Sequence, residues 1–391
     1  MPASDTGARL AQDFARFGRE WPRDWPAHVR DAYRIDLGTQ YLGVPLPHPI
    51  GKASGQLSLK PEQLEADAEA GLAFVVLKTV IAEDAEGAQA MAAWAIHETR
   101  MTVEPIRAAD GREGWTVTWK GRGWDRSLDD YLALVRAGRD LARGGGPLAV
   151  PSVKYHLPRL GEPFREGEYR YTTRRLAEAW GAGPLLLEKD FSPTLAGDPL
   201  ADERAQILRW LREVPAQARA AVPDVRLALK LMNARFDDAF QRAMLEAATG
   251  ADAVTVFNRL WDAGRGVAYG GWDLSDRNLR VLERGPAPAA WPHGMSGTGN
   301  VCTGRVLLDY ALRGCATVQL HTFFQLPLRA YPAEAGSRAA RALHALVFHP
   351  EHGLLAGLLE LERRGGVARH DGELRFRDVV GAGRGRPETE A

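Results

Sequence analysis

Short runs that are apolar on both faces, separated by stretches of helical period, constrain this chain more than any other feature. They fall at 73–79, 148–155, 184–189, 226–231, 253–257 and 317–320. A strand with one solvated face alternates apolar and polar residues. These Val/Leu/Ala-rich runs must bury both faces, as parallel strands covered by helices do. Between them the spacing predicts helices over 61–70, 127–142, 202–221, 237–249 and 303–313. Repeated units of this size give a barrel or a doubly wound sheet. Polar residues recur where the runs end, and a barrel collects its active site there. The expected fold is α/β: a (β/α)8 TIM barrel over 36–380, with an N-terminal helical extension over 1–35 and a disordered tail over 381–391.

The extension carries Leu10, Phe14, Phe17, Trp21 and Trp25 at roughly helical spacing. Such a helix packs on the barrel or on a neighbouring subunit, which admits a homodimer. A hydrophobic anchor or quinone-access helix is the alternative, but Pro22 and Pro26 interrupt it. The tail is rich in Gly, Arg, Pro and Glu.

Lys+Arg and Asp+Glu both number 50 in 391 residues. That balance removes the broad basic field a nucleic acid or an anionic membrane needs. Cys302 and Cys315, the two cysteines, exclude a disulfide framework and an all-cysteine iron–sulfur site within the chain. No apolar run reaches the roughly 18 residues of a membrane span, and no signal peptide is evident. The histidines show no metal-ligand spacing. A cytoplasmic protein without a membrane span or a nucleic-acid partner is expected.

Met295-Ser-Gly-Thr-Gly-Asn-Val-Cys-Thr-Gly-Arg305 reads as strand end, glycine loop and helix start. Gly297 and Gly299 allow a sharp turn with open N–H groups, and the helix points its positive end at them. This is an anion cradle, most often for phosphate. The next run ends in Gln319-Leu-His-Thr322, a polar turn able to close the cradle, as the last two loops of a barrel do.

Further polar elements follow in order: Ala53-Ser-Gly55, Lys78-Thr79, Glu188-Lys-Asp-Phe-Ser192-Pro-Thr194, Lys230, Phe257-Asn258 and Gly270-Gly271. With the cradle, this set over 36–330 resembles the dihydroorotate dehydrogenase family of FMN barrels. The resemblance implies FMN as cofactor. It places Ala53, Ser54 and Gly55 against the flavin, where small residues allow close approach. It places Lys78 and Thr79 beside the ring, with Asn258, Gly270 and Gly271. Gly297, Gly299, Asn300, His321 and Thr322 fall at the phosphate. Lys230 falls where a lysine stabilises the charge that a reduced flavin develops at N1 and O2.

Aligned without gaps on its proline and glycine, the 188–197 stretch puts Ser192 on the family's active-site base. That base takes a proton from one carbon while hydride leaves its neighbour for the flavin. A serine does this only in a dry site with a polar relay; read alone, Ser-Pro is a turn. Lys189 joins Ser192 at the catalytic centre, and Thr194, Trp119 and Asn258 line the substrate.

The pattern also departs from the family. Lys189 and Thr194 replace asparagines that bind the pyrimidine and its carboxylate. Trp115-Thr-Val-Thr-Trp119-Lys-Gly-Arg-Gly-Trp124 stands in place of an asparagine-methionine-glycine loop, and a Phe-Pro-Arg element is absent. Asn300 and His321 replace cradle glycines. Each lost polar partner costs roughly 1–3 kcal/mol, which argues against dihydroorotate. Lys189, Trp119, Arg122 and Trp124 suit a larger, anionic or aromatic ligand. His156 is either a proton donor at the barrel mouth or a hydrogen-bonded loop histidine.

The expected activity is FMN-dependent hydride transfer to or from a C–C bond next to a carbonyl in a small molecule. Its electron partner is external: a fumarate-like acceptor, a quinone, NAD(P)H or a flavoprotein. The alternatives are dihydroorotate dehydrogenase itself with a rebuilt pocket, and a barrel that has lost redox chemistry.

Overall fold

The computed structural model describes residues 3–92, 101–107, 111, 113–119, 123–191, 203–234, 237–262, 267–269 and 272–384. A ten-stranded parallel sheet forms its centre. The strands come from eight chain segments. These are β1 (Ile50–Lys52), β2 (Phe74–Val76 and Val80–Ile81), β3 (Leu148–Val150 and Ser152–Lys154) and β4 (Leu186–Asp190), then β5 (Arg226–Lys230), β6 (Ala253–Val256), β7 (Met295–Gly297) and β8 (Cys315–Leu320). Neighbours in sequence pair in register from Gly51↔Phe74 through Lys189↔Leu229 to Gly297↔Val318. β8 returns to β1 through Gln319↔Gly51. β3 splits at Pro151, which has no N–H to give the ladder; its carbonyl accepts from Glu188 N at 2.9 Å. The sheet is curled and TIM-barrel-like.

Helices cover the sheet because their apolar residues recur at helical spacing. Arg204–Ala221 buries Ile207, Trp210, Leu211, Val214 and Ala218, one stripe of a 3.6-residue period. Each such side chain contributes roughly 1.5–3 kcal/mol by leaving water. Helix starts follow side-chain caps: Ser127, Asp237, Thr303 and Ser337 accept from the amides of Asp130, Phe240, Val306 and Ala340. The expected helices thus become Pro61–Glu69, Leu128–Arg143, Arg204–Ala221, Asp238–Ala247 and Gly304–Leu312.

The N-terminal segment packs on this molecule's own last helices. Phe14 of Ala3–Phe17 stacks on His344 of Arg338–Phe348, with ring centroids 4.4 Å apart. His344 Nε2 lies 2.8 Å from Phe14 O. Pro26 does not interrupt a helix. It sits in the first turn of Trp25–Tyr33, where a missing N–H costs nothing. Ile35–Asp36 then pairs with Leu374–Arg375. The tail expected to be disordered from Gly381 starts with anchored residues: Gly381 N and Gly383 N donate to Ala311 O and Leu312 O. Residues 385–391 lie outside the described residues.

Three antiparallel hairpins lie outside the sheet among the described residues: Thr39–Tyr41 with Val44–Leu46, Met101–Arg107 with Glu113–Trp119, and Leu260–Asp262 with Val267–Tyr269. No described helix is long and apolar enough to cross a membrane.

Candidate active site

Register fixes which side chains meet inside the sheet. Lys230 is opposite Asp190 and Thr255, and Thr255 is opposite Ser296. Residues two apart on a strand share a face, so Glu188 and Asp190 point inward together. Their contacts agree. Gln319 Nε2 donates to Glu188 Oε2 at 2.9 Å, and Thr255 Oγ1 donates to the same oxygen at 3.2 Å. Tyr41 OH reaches it at 3.4 Å. Lys230 Nζ lies 3.7 Å from the other oxygen, Oε1. Burial raises the Glu188 carboxyl above its ordinary range, against the opposing pull of Lys230 and of the Gln319 and Thr255 donors.

One layer toward the strand ends runs a chain of hydroxyls. Ser54 Oγ is 2.8 Å from Thr79 Oγ1, which is 3.0 Å from Ser152 Oγ and donates to Asp190 Oδ2 at 3.4 Å. Lys52, at the end of β1, forms a buried ion pair with Asp67 and lies over the Phe324 ring, 5.3 Å from its centroid. Burial pushes Asp67 up to about 6, although Lys52 pulls it down.

The glycine loop has the conformation expected of a cradle, by a different route. Gly299 and Asn300 are consecutive left-handed residues, φ 99° and 54°. A Cβ at Gly299 would stand 2.6 Å from Asn278 Nδ2 and 2.9 Å from Phe257 O. The Asn278 side chain and the Tyr310 hydroxyl hold the Thr298 carbonyl at 3.2 and 2.9 Å, and Tyr310 also bonds Gly299 O. The helix behind the loop does not offer its end as expected. Arg305 N donates to His352 O, Val306 N donates to Thr303 Oγ1, and Gly304 packs against Gly353–Leu354. The Arg305 and Val306 amides are thus already used, and the loop's own amides are the ones offered to an anion.

His321, the other half of the cradle, closes against β1. Its Nε2 accepts from Gln56 N at 3.1 Å, and the Gln325 Nε2 lies 2.7 Å from its Nδ1. A Cβ at Gly55 would fall 1.9 Å from that Nε2. Burial, then Arg259, Lys78, Lys230 and Lys52 in turn, hold His321 well below its ordinary range. The imidazole is therefore neutral. Arg259 also donates to Thr322 Oγ1 at 2.8 Å.

The structure brings together Ala53, Ser54, Gly55, Lys78, Thr79, Lys230, Gly297, Gly299, Asn300, His321 and Thr322 at the C-terminal strand ends. Asn258 is at the rim, its Oδ1 turned to Arg259 N at 2.9 Å. Lys189 does not join the inner ring. It stands on the opposite face from Glu188 and Asp190, fully buried, its Nζ donating to Asp190 O at 3.0 Å and lying 4.3 Å from the Phe191 ring centroid. Burial first, and then Lys154, bring it down to about 7. The alternation that turns Glu188 inward turns its neighbour out.

Trp124, expected near the ligand, is core: it packs on Tyr131 with its indole N–H on Ser127 O. His156 is a buried loop residue whose amide donates to Glu168 Oε1 at 2.6 Å, with its ring 3.6 Å from Glu162. Ser192, Thr194, Arg122, Gly270, Gly271 and the Trp119 side chain lie outside the described residues.

No family model and no curated protein sequence matches this chain. Its fold does match a solved structure. This is DHODH from Eimeria tenella in complex with ferulenol, with a TM-score of 0.61 over 99% of this chain and 97% of that one. Identity is 14%, so the likeness is one of fold: a DHODH-like barrel-type sheet with its helices.

Sequence reasoning passed over Lys52, Glu188, Asp190 and Arg259. Glu188 and Asp190 carried a legible signal, since two carboxylates at i and i+2 in a strand must share a face. Lys52 and Arg259 carried none, because each is a single cation beside a residue already singled out.

Proposed function

We propose that the chain is an FMN-dependent oxidoreductase on a closed (β/α)8 barrel of the dihydroorotate dehydrogenase type, acting on a C–C bond next to a carbonyl. The Arg259 contact to Thr322 Oγ1, next to a neutral His321 on which the charges of Arg259, Lys78, Lys230 and Lys52 act, together with the left-handed Gly299–Asn300 turn, carries this reading. A phosphate needs cations and open amides together. The Asn300 Oδ1 and Ser296 Oγ atoms, buried and without partners among the described residues, suit the hydroxyls and ring N–H of a flavin nucleotide. The residues present therefore fit FMN.

When bound, FMN supplies hydride exchange with the substrate carbon. Arg259, Thr322 and the 299–301 amides would hold its phosphate. Gly55, kept free of a side chain by His321, allows close approach. Lys78 and Lys230 give the positive charge that a reduced flavin ring needs. Ser192 takes or returns the proton on the neighbouring carbon, a role that a hydroxyl fills only in a dry site with a polar relay. The substrate is a small molecule other than dihydroorotate, because Lys189, buried on the outer face with its Nζ on Asp190 O, cannot make the contact of the asparagine it replaces, and Thr194 replaces the other. The second electron partner is external.

The test is the purified protein itself. One FMN per chain, released on denaturation and identified by mass spectrometry, is expected. A colourless protein that takes up no FMN from excess would overturn the reading and leave a non-redox barrel.

A further inference from the structure

Lys230 is not alone at the end of β5. Glu188 lies one layer deeper on the neighbouring strand, with no surface exposed to solvent. Three groups from three separate segments, Gln319, Thr255 and Tyr41, converge on its Oε2. That fixes the carboxyl plane and leaves Oε1 without a hydrogen-bond partner among the described residues. The cation nearest Oε1 is Lys230, its Nζ 3.7 Å away. Lys52, the corresponding lysine of β1, has a buried carboxylate of its own in Asp67.

A buried carboxylate without a counter-charge is strongly destabilising, and so is a buried ammonium. Fixing one oxygen with three donors aims the other at the lysine. From this geometry we propose that Glu188 is the counter-ion of Lys230, a positioning residue that sets how much positive charge Lys230 presents to a ligand at the barrel mouth. For its effect on a flavin the proposal rests on the FMN reading; the ion pair itself does not. Each of the two lysines thus carries part of its compensation inside the protein. A bound anion meets a partly neutralised lysine in place of a full charge.

Two measurements test this. The first uses the FMN-free chain: Glu188→Gln, Lys230→Met and the double variant form a cycle on the unfolding equilibrium. The expected result is non-additivity of at least about tenfold in the equilibrium constant, with the double variant more stable than the single effects predict. Additive effects would overturn the pair. The second uses the holoenzyme. Glu188→Gln removes the charge but keeps the shape, so the midpoint potential of bound FMN should rise by about 30 mV, a tenfold change in relative affinity for the two redox forms of a two-electron couple. Glu188→Asp should return it toward the starting value. A potential that stays or falls in Glu188→Gln would overturn the charge-setting role. A chain that binds no FMN yet shows the non-additive cycle would uphold the pair and sink the FMN reading instead.

Discussion

At the N-terminal end of the sheet, Tyr41 stacks on Phe74 with ring centroids 4.7 Å apart, and Trp25 packs on His48 at 4.4 Å. The tryptophan and His48 polar atoms there are bonded. The indole N–H groups of Trp21 and Trp25 donate to Ala70 O and Gly71 O at 3.0 and 3.3 Å, and His48 uses both ring nitrogens. At the C-terminal end, Glu188 Oε1, Asp190 Oδ1, Ser296 Oγ and Asn300 Oδ1 are buried without partners among the described residues, and the charges of four cations act on one buried histidine. An unmet buried polar atom costs roughly 1–3 kcal/mol. One end is thus packed for stability, and the other gives up stability to keep polar atoms and charge available to a ligand. A change at the base should move stability and spare the chemistry, and a change at the mouth should do the reverse.

The largest separation is expected from Ser192→Ala, which should slow substrate-dependent flavin bleaching by roughly 10²–10⁴-fold with FMN still bound and the unfolding midpoint unchanged. Stopped-flow absorbance reads the first and denaturant titration the second. Near-normal bleaching in this variant would mean that another group handles the proton. At the other end, Phe74→Ala should cost roughly 3–5 kcal/mol of folding stability. If the folded fraction nonetheless loses its FMN affinity, the two ends are not separable.

Lys230→Ala should cross the divide. It leaves Glu188 as an unpaired buried carboxylate, so stability, FMN affinity and flavin potential should all fall. An unchanged potential and affinity would place Lys230 outside the cofactor site. A smaller effect is expected from Gly299→Ala. The new Cβ meets Asn278 and the Phe257 carbonyl and must adopt a left-handed backbone. Roughly 1–3 kcal/mol of strain should appear chiefly as weaker FMN binding, measured by fluorescence titration; a loss in melting temperature alone would make this loop structural.

A separate, pH-dependent effect lies between the two regions, at Lys189. In the folded chain its amine is brought down to about 7, whereas an unfolded lysine holds its proton to about 10.4. Between those values the unfolded state binds more protons, so this group makes stability rise with pH. Lys189→Met should therefore be more stable than the parent at pH 7, with the gain shrinking toward pH 9. Urea midpoints at the two pH values decide it. A constant difference would show that Lys189 is solvated.

Strand placement was legible from the sequence because parallel strands must be apolar on both faces, and the runs at 73–79, 226–231 and 253–257 became β2, β5 and β6. β1 was not legible as a strand. It has three residues, one a glycine and one a lysine, and no apolar run to betray it. The hydroxyl chain through Ser54, Thr79, Ser152 and Asp190 joins residues far apart in sequence, so no local pattern announces it. Lys189 was misplaced because an alignment on a proline and a glycine carries no information about strand alternation. The glycine loop was found, but the covering of its helix by His352 and Gly353 depends on how the last helices pack.

The sequence by itself determined the architecture and the end of the strands where charge gathers, since hydrophobic period and residue type act within a few residues of their own position. Tertiary structure decided which charges compensate one another. Lys230 meets Glu188 only once neighbouring strands pair, and Lys52 meets Asp67 only once the Pro61–Glu69 helix folds back on β1, and Coulomb and hydrogen-bond energies depend on that distance through space and not on separation along the chain.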